Sequence, residues 1–224
     1  MNFGLIVAAG KGNRFQGTKQ FFLLGGKPLV LHALETFSRS SYIDQIVVVT
    51  NAHKIKYLET LADLNQIKKI RAVVSGGEHR QDSVWQGLRI LPDKANSYIA
   101  IHDGVRPLID NKLLVQGFTL CRKYKAVIYG IPVNDTIKEA KHGRIIRTFD
   151  RTNLYLIQTP QFYQLNLIKR AYQQAVKNNF YATDDAALVE HLGFKVHIFL
   201  GSKSNIKITN REDLKLVQKL IQAK

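Results

Sequence analysis

The chain has 224 residues, 45% of them apolar, enough for one large globular unit with a buried core, so two small domains are the poorer reading. Its 33 basic against 17 acidic residues leave a formal charge of +16, which favours nucleotides, sugar phosphates, nucleic acid or a membrane surface as partners without choosing among them. The lone Cys121 excludes an internal disulfide and a cysteine metal cluster, and no apolar stretch is long enough to span a bilayer; a soluble cytoplasmic protein that engages no membrane is expected.

A β-prone run at 4–8 opens the chain, followed by a glycine-bearing loop and a helix over 28–38, with Pro28 suited to its first turn. Strands follow at 45–50, 70–74, 98–102 and 126–131, separated by helical patterns at 54–64, 80–91 and 112–123. The run Ile46, Val47, Val48, Val49 is apolar without alternation, as in a strand covered on both faces. This order predicts an α/β fold with a mostly parallel, Rossmann-like sheet flanked by helices, and with ligands at the strands' carboxyl ends.

Residues 134–155 break the rhythm. Short β-prone pieces at 136–137 and 145–148 surround the turn signal His142-Gly143, which predicts a projecting β-arm. Helices at 165–177 and 183–192, a strand at 196–199 and a helix after Asn210 complete the chain, with Thr183-Asp184 and Thr209-Asn210 as caps. No repeat, low-complexity tract or linker divides it, so 1–224 reads as a single domain.

The first strand runs into Ala8-Ala9-Gly10-Lys11-Gly12-Asn13-Arg14, with Lys19 beyond. Bare backbone amides can approach a phosphate there while Arg14 and Lys19 flank it. Phe15 stands where a dinucleotide fingerprint needs its third glycine, and Thr18-Lys19 reverses the order of a P-loop. Taken alone, the segment reads equally as a glycine-rich turn with surface cations.

Other polar segments stand at element ends. Gly76-Gly77-Glu78-His79-Arg80-Gln81-Asp82-Ser83-Val84 joins a strand to a helix, where backbone groups and Ser83 can hydrogen-bond a flat base. His102-Asp103-Gly104-Val105-Arg106-Pro107 closes a buried strand with a carboxylate and a guanidinium, and His102 reads as structural. Asp135-Thr136-Ile137-Lys138 and Asp150-Arg151 lie on the arm, with Thr159-Pro160-Gln161 after it. Thr183-Asp184-Asp185-Ala186 reads by itself as a helix cap, and Asn205-Ile206-Lys207-Ile208-Thr209 as an edge strand leading into one.

In this order the segments resemble the sugar-nucleotide pyrophosphorylase superfamily of nucleotidyltransferases, and within it the family of 2-C-methyl-D-erythritol 4-phosphate cytidylyltransferases, from Leu5 to Asp213. Phe15 replaces the family's Met, Gly104-Val105 its Ala-Ala, and the loop to Lys19-Gln20 is short. The resemblance implies CMP transfer from CTP to a polyol phosphate, with Arg14, Lys19, Arg151 and Lys207 as the catalytic cations. It implies CTP binding by Ala8, Ala9, Gly10, Gly12, Gly77, Arg80, Ser83 and Gly104, and acceptor binding by Asp103, Arg106, Thr136, Thr159 and Thr183.

It further implies Mg²⁺ carried on the CTP phosphates rather than by a protein metal cluster, and a homodimer whose arms swap so that Arg151 serves the partner's site. Ribitol-5-phosphate cytidylyltransferases share the glycine loop, the His-Asp-x-x-Arg-Pro segment and the Thr-Pro-Gln turn; Arg80-Gln81-Asp82-Ser83-Val84, Phe149-Asp150-Arg151 and Asp184-Asp185-Ala186 favour the methylerythritol family. A nucleic-acid-binding protein is motivated by charge alone, since the lysines are dispersed and no recognised binding motif is present.

Overall fold

The computed structural model describes residues 1–10 and 18–222. Strand β1 (Asn2–Ala8) leads to a short ladder of β2 (Leu23–Leu24) and β3 (Lys27–Pro28), then to α1 (Leu29–Arg39), β4 (Gln45–Thr50), α2 (Ile55–Leu64) and β5 (Ile70–Ser75). Next come α3 (Arg80–Arg89), β6 (Tyr98–Asp103), α4 (Asn111–Tyr124) and β7 (Ala126–Pro132). The hairpin β8 (Lys138–Lys141) and β9 (Arg144–Thr148) precedes β10 (Tyr155–Gln164), α5 (Leu165–Lys177), α6 (Asp185–His191), β11 (His197–Leu200) and α7 (Arg211–Gln222).

One sheet in the order β11-β7-β10-β6-β1-β4-β5 runs through the molecule. The pairs β1–β4, β1–β6, β4–β5 and β7–β11 are parallel, whereas β10 runs antiparallel to both of its neighbours, β6 and β7. The mostly parallel sheet flanked by helices therefore holds as read from sequence. Alternation along β1 splits the core: Phe3 and Leu5 pack with α3, α5 and α6, while Ile6 and Ala8 face α1, α2 and α4. Cys121 is fully buried in that second layer and acts as a small hydrophobe.

Several local expectations shift. Residues 136–137 are not in a strand, because the hairpin ladder begins at Lys138. All the residues of β8 and β9 are exposed, and the tip turns through His142 and Gly143 at φ 50° and 75°. Residues 205–209 form no strand; Ile208 instead donates its N–H to Val105 O at 2.9 Å and buries its side chain with Leu24, Leu29 and Val217. Asp184, not Thr183, caps α6, accepting from Ala187 N at 3.0 Å. Before α7, Asn210 Oδ1 accepts from Asp213 N while the Asp213 carboxylate accepts from Thr209 and Asn210, a reciprocal cap. Among the described residues, no helix is long and apolar enough to cross a membrane.

Candidate active site

A cleft of about 170 Å³ opens at the carboxyl ends of β1 and β6, beside the turn from β5 into α3. That is where an open α/β sheet leaves backbone and loops free to meet a ligand. Ala9 and Gly10 form one side, and the Gln20 amide donates to Gly10 O at 2.7 Å, pinning the start of the glycine loop. On the other side Gly76 is tied to β4 through Thr50 O at 2.8 Å. A Cβ at Gly76 would overlap Ala9 and come within 2.7 Å of Ser83 Oγ, so only glycine lets the two loops approach. The Ser83 hydroxyl accepts from Gly77 N at 3.2 Å and donates to His79 O at 3.1 Å, holding the turn against the first residues of α3.

The charged residues form one connected chain. Arg80 donates from Nε to Asp103 Oδ1 at 2.9 Å and from Nη1 and Nη2 to the two oxygens of Asp185 at 2.9 and 3.0 Å. Asp103 Oδ2 lies 2.7 Å from Lys207 Nζ. The Tyr172 hydroxyl donates to Asp185 Oδ1. Burial pushes the Asp103 carboxyl up, but Arg80 and then Lys207 outweigh it and hold Asp103 well below the usual carboxylate range. Arg80 would lose its proton more readily through burial, yet Asp185 and Asp103 keep it firmly charged. Lys19 also lines the cleft, so cations from three separate parts of the chain converge on it.

His102 sits behind Asp103 and is fully buried. Its Nε2 lies 3.1 Å from Arg106 O, which can only accept, so the neutral ring carries its proton there. Nδ1 then accepts from the Thr159 hydroxyl at 3.2 Å, and that hydroxyl in turn accepts from Asp103 N at 3.0 Å. Burial lowers the ring's pKa to about 4, which makes it a neutral structural brace, as its setting in the sequence implied.

Of the residues expected to bind nucleotide, Ala9, Gly10, Gly77, Arg80 and Ser83 line the cleft, as do Lys19, Lys207 and Asp103. Ala8 points into the opposite layer. Gly104 backs the cleft without lining it, since a Cβ there would meet Val7 O at 3.2 Å and Val30 at 3.3 Å. Gly12 and Arg14 lie outside the described residues.

Arg106 and Thr159, expected at the acceptor, are turned inward. Arg106 donates to Asn205 O at 2.7 Å and Ile157 O at 3.4 Å, and Asn205 Nδ2 donates to Thr159 O at 2.8 Å, so these groups fix the segment that carries Lys207. Thr136 and Arg151 pair with each other at 3.5 Å at the base of the arm, and neither lines this chain's cleft. Thr183 is exposed one residue before the α6 cap and also stays off the cleft.

The sequence motifs contained Gln20 and Asp185 but gave neither a role: Gln20 stood beside Lys19, and Asp185 looked locally like an ordinary first-turn acid. Among the described residues no three His, Cys, Asp or Glu side chains gather into a metal cluster. Glu78 and Asp103 both line the cleft, and Asp103 already has both oxygens on cations.

The model of the 2-C-methyl-D-erythritol 4-phosphate cytidylyltransferase family matches residues 3–223. The protein of that name from Clostridioides difficile is 40% identical over 97% of this chain and 92% of its own length. The one from Geobacter metallireducens is 40% identical over 99% of this chain and 98% of its own. The crystal structure of 4-diphosphocytidyl-2C-methyl-D-erythritol synthase from Anaerococcus prevotii superposes with a TM-score of 0.87 at 31% identity, covering 99% of this chain and 96% of that one. With a cation-lined cleft at the sheet's carboxyl edge and similarity that runs almost from end to end, the chain belongs to the 2-C-methyl-D-erythritol 4-phosphate cytidylyltransferase family.

Proposed function

We propose that this chain is a cytidylyltransferase that moves CMP from CTP to 2-C-methyl-D-erythritol 4-phosphate, giving 4-diphosphocytidyl-2-C-methyl-D-erythritol and pyrophosphate, a step in making isoprenoid precursors. The observation that carries the reading is the convergence of Lys19, Arg80 and Lys207 on one cleft walled by Ala9, Gly10 and Gly77. Two polyanions must meet for this reaction, so repulsion and alignment are its main obstacles. Converging cations reduce both.

The acceptor's phosphate oxygen attacks the α-phosphorus of CTP; a P–O bond forms there as the bond to pyrophosphate breaks. The acceptor phosphate is ionised near neutral pH and needs no general base. Asp103, held ionised by two cations, is unsuited to shuttling a proton and serves to place Arg80 and Lys207. Lys19, together with Arg14, balances charge on the α-phosphate and on departing pyrophosphate, while Lys207 holds the acceptor phosphate. The Gly77 and Ser83 turn meets the cytosine.

The described residues gather no cluster of metal-ligating side chains, which suits Mg²⁺ carried on the triphosphate, where it would neutralise phosphate charge. The arm's exposed Ile145 and Ile146, at 62% and 56%, together with Leu156 at 57% suit coverage by a second copy. In such a homodimer each Arg151 serves the neighbouring cleft. A cytoplasmic location fits substrates that are soluble phosphates.

The family match favours the methylerythritol acceptor over ribitol phosphate, and a built anion cleft favours an enzyme over a nucleic-acid binder. Pyrophosphate release from CTP and Mg²⁺ is expected with 2-C-methyl-D-erythritol 4-phosphate and not with ribitol 5-phosphate. Release with ribitol 5-phosphate alone, or with neither acceptor, would overturn the assignment.

A further inference from the structure

Asp185 is the first residue of α6, where an acidic side chain normally faces water, yet here it is fully buried. A buried carboxylate is costly unless its oxygens are matched, and these are matched completely. Arg80 meets both oxygens and the Tyr172 hydroxyl meets one of them. Arg80 comes from α3, Asp185 from α6 and Tyr172 from α5. The contact thus ties three helices to a side chain that ends in the cleft. Trp85 stacks on the Tyr172 ring, with the two centroids 6.1 Å apart.

A guanidinium offers a carboxylate two forks, one between its terminal nitrogens and one along its Nε side. Asp185 takes the terminal fork in full. Asp103 is left with a single bond from Nε, which occupies Oδ1 and leaves Oδ2 for Lys207. Without Asp185, Arg80 is free to turn a whole fork onto Asp103 and claim both oxygens. Lys207, whose side chain is 41% exposed, would then be released toward solvent.

Resting on the transferase reading above, we propose that Asp185, steadied by Tyr172, is a positioning residue for the reaction. By occupying the outer end of Arg80 it reserves one oxygen of Asp103 for Lys207 and so presets the cation that receives the acceptor phosphate. Asp185 touches neither substrate; its effect passes through Arg80 and Asp103.

The test is steady-state kinetics of Asp185→Asn, which keeps the shape and removes the charge, beside a CTP titration read from the fluorescence of Trp85, the chain's one tryptophan. The expected result is an acceptor KM raised about tenfold or more, with a smaller change in CTP affinity, as for loss of one member of a coupled ionic network. In a Lys207→Met background the same substitution should add less than about twofold, because its route of action is already gone. Tyr172→Phe, which keeps the stacked ring, should shift the acceptor KM in the same direction by a few-fold, and it decides the matter should Asp185→Asn fail to fold. An unchanged acceptor KM, an equal or larger loss of CTP affinity, or full additivity with Lys207→Met would overturn the proposal. Lack of pyrophosphate release by the unaltered protein would overturn the transferase reading instead.

Discussion

Acid should loosen the wall behind the cleft through His102 before it reaches the carboxylates in front. The ring is completely buried, accepts a hydrogen bond at Nδ1 and donates one at Nε2, so protonation would put a second hydrogen where the Thr159 hydroxyl already donates. Its pKa falls from 6.5 to about 4 on folding. Between those values the unfolded chain binds the proton and the folded chain does not, so the contribution is fully present above pH 6.5 and is lost as pH falls toward 4.

At roughly 1.4 kcal/mol per pH unit of separation, the loss comes to about 3 kcal/mol, a large part of an ordinary domain's stability. Urea unfolding at several pH values from 7.5 to 4, compared with His102→Gln, isolates the group, because other titrations are common to both proteins. The variant is expected to start less stable and to lose less on acidification, with the two curves converging. Parallel curves across that range would show that His102 is not the titrating group and would refute the acid weakening proposed for it.

Lys207→Met should lower turnover per acceptor encounter by about a hundredfold, as loss of a transition-state donor does, and should cost about 1–3 kcal/mol of stability because the buried Asp103 is left with Arg80 alone. Pyrophosphate release and a thermal melt measured together check both halves. Lys19→Ala and Arg14→Ala should each cost turnover about a hundredfold or more by the same measurement, and near-normal rates in folded protein would refute their roles. Gly76→Ala forces its methyl against Ala9 and Ser83 and should weaken CTP binding about tenfold with about 1–3 kcal/mol of strain, read by titration and unfolding. Mixing Arg151→Ala protein with Lys207→Met protein should restore measurable activity if arms exchange between copies; a mixture no better than its parts would refute that exchange.

The parallel half of the sheet was legible because buried runs such as Ile46 to Val49 and the helical periods between them have no other reading. The antiparallel β10 was not read as a strand. Gln158, Thr159, Pro160 and Gln161 carry too much polarity and a proline, and only the structure shows that these polar groups are buried against His102, the Lys207 segment and Asp184. The internal partners of Arg106 and Thr159 were not legible for a related reason. A motif places a residue near a site, but whether its side chain faces the ligand or the scaffold depends on partners far away in the chain, here Asn205 and His102. The ion pair of Asp185 was unreadable on the same ground, because its partner Arg80 is 105 residues distant and the local pattern was already explained by a helix cap.

The lysine–carboxylate contact between Lys207 and Asp103 also bears on which small anions can lodge in the cleft. A lone sulfate or inorganic phosphate would have to exchange one ionic contact for another, with little net gain. A ligand that presents its anionic group on a scaffold already gripped elsewhere has additional contacts to drive the same exchange. Mimics of the acceptor headgroup alone are therefore poor starting points for inhibitors, and molecules that bridge the Gly76-Gly77 turn and Lys207 are better ones.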